Sequence, residues 1–181
     1  MGTKRISYIA FFIALGIVLP LAFHMFGTGL GRIFLPMHLP VLLAGVLMGP
    51  AAGAIVGVIT PIFSSLLTGM PPVFPMLPIM FIELLVYGLA IGYLYNIRKS
   101  NILLSLFVSM LLGRIGAATV VMVLVYLFNI SNLPGNPLLY IWGTIATGFP
   151  GIIIQLLLIP LLAKNLVVFF QKNKNKQDFD T

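Results

Sequence analysis

Two ionisable residues, Glu83 and Arg114, stand deep inside long apolar stretches of the chain. A charged side chain at the bilayer centre costs at least about 2.5 to 3.5 kcal/mol on insertion scales, so each needs a partner or a purpose. If they lie on adjacent antiparallel helices they can meet, and two readings are then open. One is an ion pair that holds the helices in register, and the other is a pair that contacts a polar solute. The readings are compatible, because a pair lining a cavity can hold itself together when empty and touch solute when full. A buried guanidinium also offers a planar, bidentate match to a carboxylate.

Other polar residues gather near the ends of apolar segments. Arg32 lies in a Gly-rich loop that begins at His24, and His38 follows between Pro36 and Pro40. Near an interface, Arg32 reads either as a side chain snorkelling to headgroups or as a ligand contact. His38 reads as a helix-start residue or as a pH-sensitive, ligand-binding one. Asn132, Asn136 and Trp142 lie in and after a second such loop. Trp142 suits an aromatic belt, yet a ring beside asparagine amides is also how a site grips a small polar solute. The substrate-binding candidates are therefore Glu83, Arg114, Tyr87, Asn132, Asn136, Trp142, His38 and Arg32.

Several chemistries are excluded. The two histidines are far apart and have no adjacent carboxylate, so no metal site is expected. Ser64, Ser65, Thr119 and Thr144 have no acid and histidine around them to build a hydrolase. The GxxxxGK[ST] phosphate loop is absent, so the chain is not expected to hydrolyse ATP. With no cysteine there is no disulfide, thiolate metal site or thiol nucleophile. No catalytic residue and no cofactor is expected.

These residues must be positioned by membrane helices. Of 181 residues, 60% are hydrophobic and only 7% charged, too few charges for a water-facing surface. The net charge of +7 resembles a nucleic-acid signal until the basic residues are placed, for they flank apolar segments as topology signals do. Nucleic acid is therefore not an expected partner. Stretches long enough to cross about 30 Å of hydrocarbon begin near Ile6, Ala51, Val73, Ile102 and Leu138. A shorter one covers residues 37–48 and ends at Gly49-Pro50. The first resembles a signal peptide but runs past Pro20 without a small-x-small cleavage site, so it counts as a span.

The expected fold is thus all-α, an integral membrane protein of six transmembrane helices. Six spans place Lys4, Arg5, Arg98, Lys99, Lys164, Lys172, Lys174 and Lys176 on one side, which the positive-inside rule makes cytoplasmic, with both termini. One membrane domain, residues 1–170, is followed by a polar tail, 171–181, expected to be disordered and to touch anionic headgroups through its lysines. Loops 24–36, 68–72 and 129–137 fall outside and are rich in Gly, Pro and Asn. No internal repeat is evident, which weighs against an inverted-repeat carrier. Ala10 and Ala14 form a small-xxx-small pair, as do Gly45 with Gly49 and Gly53 with Gly57. The glycines suit internal packing, and an exposed Ala10 and Ala14 face suits another membrane protein.

This arrangement resembles the substrate-binding S component of energy-coupling factor (ECF) vitamin transporters. The resemblance rests on the six helices, on AFFIA around Ala10 and Ala14, on FLPMHLPVLLAGVLMGPAAGAIVG from Phe34, and on GMPPVFP before the fourth helix. It implies a six-helix bundle in a bacterial inner membrane, a pocket near the outer face and a lid formed by residues 24–36. It also implies partners: a transmembrane coupling subunit, met by Ala10 and Ala14, and two cytoplasmic ATPases. The implied function is binding of a small water-soluble vitamin or precursor without enzymatic activity. Arg114 favours pantothenate. If Glu83 consumes Arg114, pyridoxine, a thiamine precursor or riboflavin fits as well. A self-sufficient proton-coupled carrier cycling Glu83 and a docking scaffold are the alternatives from other classes.

Overall fold

The computed structural model describes residues 3–25, 27, 29–130, 133 and 136–177. The chain forms α1 (Thr3–Met25), α2 (Leu30–Phe34), α3 (His38–Met48), α4 (Pro50–Thr68), α5 (Met76–Gly92), α6 (Ile102–Phe128) and α7 (Pro137–Gln177). A π turn, Tyr93–Ile97, extends α5. Six segments among the described residues are long and apolar enough to span a bilayer, with α2 and α3 together making the second, Leu30–Met48. An even number of spans brings the first and last helices back to one end of the bundle, here the terminal end. Residues 29–37 and 69–75 lie at the opposite end.

Three boundaries differ from the sequence reading, each for a local reason. Helix α1 runs on to Met25, so His24 sits in its last turn rather than in a loop. The loop that follows contains the short helix α2, which ends at Leu35 in the left-handed region with φ 50°. The fourth span starts at Met76 instead of Val73, because Pro71, Pro72 and Pro75 keep the preceding segment irregular. In that segment Met70-Pro71 and Phe74-Pro75 are cis. Ser64 and Ser65 donate through their hydroxyls to the carbonyls of Met70 and Pro71, both at 2.7 Å. Helix α7 is described as far as Gln177.

At the centre α3, α4 and α5 pack backbone to backbone. Gly53 and Gly88 face each other so closely that a Cβ on either would overlap the other's main chain, the close approach that small residues permit in membranes. Helix α1 lies against α4, with Gly16 over Thr60, and is otherwise largely outside the core. Helix α6 packs on α5, and α7 closes the bundle against α6, α2 and α3. At the terminal end Asn96 donates its side-chain amide to the carbonyls of Gly45 and Val46 at 2.9 and 3.0 Å. Arg5 donates to the Met48 carbonyl at 3.2 Å, so three of the last four carbonyls of α3 accept from side chains.

Candidate solute-binding site

The polar centre of the bundle is built from three helices. Glu83 and Tyr87 are one turn apart on the same face of α5. Arg114 reaches them from α6, where the preceding residue, Gly113, lets the Tyr87 ring lie flush against that helix; a Cβ there would overlap the ring. His38 opens α3 on the other side. The Arg114 Nη1 atom is 2.6 Å from Glu83 Oε1, and His38 Nε2 is 3.5 Å from the same oxygen. The His38 and Tyr87 rings are 5.2 Å apart at 60°. His38, Glu83, Tyr87 and Arg114 are 2, 3, 2 and 5% exposed, so the cluster is sealed. Glu83 lies seven residues into α5, about 10 Å along the helix from its start at Met76.

The hydrogen-bonding balance of this cluster is uneven. Glu83 Oε1 and Arg114 Nη1 form an ion pair, yet Glu83 Oε1, Arg114 Nε and Nη2 and both ring nitrogens of His38 are buried without a hydrogen-bond partner. A buried polar group left unpaired costs about 1 to 3 kcal/mol. Beside Nη2, α7 presents Gly148, where a Cβ would stand 3.5 Å from that nitrogen. The same position faces the Leu35 side chain at 2.9 Å. The α2 segment packs on α7 beside the cluster: Gln155 of α7 donates to the Leu35 carbonyl at 3.2 Å, and Gly151 lies under the carbonyls of Ile33 and Phe34. Tyr140 of α7, also buried, lies within electrostatic reach of Glu83 and Arg114.

Of the sequence-derived candidates, the structure therefore brings together Glu83, Arg114, Tyr87 and His38. It does not bring the others to this cluster. Arg32 is exposed on α2. Trp142 is 69% exposed on the outer surface of α7. Asn136 is exposed and its side-chain oxygen accepts from the Leu138 N–H, capping α7. Asn132 lies outside the described residues. Ala10 and Ala14 are both exposed on α1. Sequence reasoning missed Gln155, Gly113 and Gly148. Gln155 had a signal, since it is the lone polar residue between Gly151 and Pro160, and an amide in so apolar a run needs an internal acceptor.

Six helices long and apolar enough to span a bilayer, enclosing a buried and incompletely satisfied polar cluster, define a multi-pass membrane protein. The chain belongs to the family described as ECF transporter, substrate-specific component, whose model matches residues 4–163. No curated protein and no solved structure gives a significant match. The protein is accordingly the substrate-binding subunit of an ECF uptake system rather than an enzyme, and it associates with ECF membrane and ATPase modules.

Proposed function

We propose that Glu83, Arg114, Tyr87 and His38 form the solute pocket, and that its ligand is a small water-soluble vitamin or precursor bearing a carboxylate, pantothenate being the favoured example. One observation carries this reading. Glu83 occupies Nη1 of Arg114, which leaves the Nε and Nη2 edge unpaired, and that edge is the fork that accepts a carboxylate through two parallel hydrogen bonds. His38, with both nitrogens unpartnered, supplies a further donor or acceptor for a hydroxyl or amide of the ligand. A second reading rests on the same pair: Glu83 already neutralises Arg114, which suits an uncharged ring compound such as pyridoxine or a thiamine precursor.

In this account the segment built around α2 forms the lid and faces the outside of a bacterial inner membrane. The cations Lys4, Arg5, Arg98, Lys99 and Lys164 all fall at the terminal end, as the positive-inside rule requires of a cytoplasmic face. The exposed Ala10 and Ala14 face of α1 docks the transmembrane coupling subunit, and two cytoplasmic ATPases supply the energy. Proteoliposomes test this. The chain alone is expected to bind pantothenate, and ATP-driven accumulation is expected only with the ECF module present. Uptake by the chain alone under a pH gradient would instead identify a self-sufficient carrier. Arg114→Lys keeps the charge and loses the fork, so it is expected to lower affinity for a carboxylate ligand at least tenfold and to spare a neutral one.

A further inference from the structure

We propose that the terminal end of the bundle carries a specific site for an anionic phospholipid, with an acyl chain in a groove between α4 and α5 and the headgroup held by Arg98 and Lys99. The groove has a volume of about 330 Å³ and is lined by Pro50, Val86, Leu89, Ala90 and Tyr93. It is a product of close packing: Gly92 has no side chain to push away the start of α4, so Pro50 lies directly on α5. The π turn that ends the helix begins at Tyr93, whose exposed ring forms one wall.

The mouth of the groove is cationic and fixed. The Arg98 guanidinium carbon stands 5.9 Å from the centre of the Tyr93 ring, over its face, within range of a cation–π contact. The backbone that carries the two cations is pinned, because the Arg98 N–H donates to the Tyr93 carbonyl and the Ser100 N–H to the Leu94 carbonyl, both at 3.0 Å. Lys99 takes the left-handed conformation with φ 56° that ends the helix. Neither cation has an acidic partner among the described residues, where Glu83 is the sole side-chain carboxylate and is bound to Arg114 in the interior. Among the described residues nothing on the chain answers their charge. A neutral helix would cover the groove and leave both cations unanswered, whereas an anionic lipid satisfies the apolar trench and the charge together.

The test is native mass spectrometry of the detergent-purified chain titrated with dioleoyl phosphatidylglycerol, and in parallel with dioleoyl phosphatidylcholine. One tightly held phosphatidylglycerol is expected, with phosphatidylcholine bound much more weakly. Removing both cations, Arg98→Gln with Lys99→Gln, is expected to weaken phosphatidylglycerol about thirtyfold. Ala90→Phe fills the groove and is expected to abolish that site with the charges intact; if Ala90→Phe does not fold, Tyr93→Ala removes a wall and serves instead. Equal binding of the two lipids would overturn the headgroup assignment. Loss in the charge variant with full retention in both groove variants would reduce the observation to surface adsorption and overturn the site. Retention in every variant would overturn it entirely.

Discussion

The Glu83 and Arg114 pair can be broken one partner at a time. At 2.6 Å and an effective dielectric of about 20, the attraction between two unit charges is about 6 kcal/mol before desolvation is subtracted. Both residues are at least 95% shielded, so the desolvation cost is large and the pair as a whole contributes little net stability. Removing one member is different, because the other charge stays buried and uncompensated, at a cost of about 3 to 5 kcal/mol. Glu83→Met and Arg114→Met are each expected to lower the Tm of the purified protein by on the order of 10 °C. The double variant is expected to recover most of that loss, because two apolar chains of similar volume remove both charges. It is not expected to recover affinity, since the guanidinium fork is gone. Thermal unfolding of the four proteins, with binding measured on each, gives the full cycle. Single variants within about 1 kcal/mol of the parent, or a double variant whose loss is the sum of the two, would refute the reasoning.

Three further outcomes follow from the same geometry. Replacing Ala10 and Ala14 with leucine is expected to abolish ATP-driven uptake in the reconstituted complex and leave solute binding intact; equal loss of both would show that this face packs within the chain. Gly27 has φ 143°, which proline cannot adopt, so Gly27→Pro is expected to change solute association or dissociation rates in filter binding with labelled ligand while the helices stay folded. Gly113→Ala forces the Tyr87 ring out of its place against α6 and is expected to cost about 1 to 3 kcal/mol in thermal unfolding, with weakened binding.

The number of spans was legible because length and apolarity decide it, and the ion pair was legible because an intramembrane charge cannot stand alone. The facing of α7 was not. Between Leu138 and Leu166 nearly every residue is apolar, so no polar stripe tells the protein side from the lipid side, and Trp142 and Tyr140 look alike in sequence. The structure turns Tyr140 inward and Trp142 outward. His38 reads from sequence as a helix-start residue as well as a site residue, and only the packing sets it beside Glu83; α2 is five residues in a Gly-rich segment, too short to register as a periodic pattern. Gly113 and Gly148 act by the side chains they lack, which only the packing reveals.

The most direct test of the account is native mass spectrometry of the chain purified under conditions that retain its solute, compared with Arg114→Met prepared identically and shown to be folded. The account predicts one small-molecule adduct per protein in the parent, carrying a carboxylate, and its loss in the variant. An adduct held equally by both proteins would contradict the placement of the solute site at Glu83, Arg114, Tyr87 and His38.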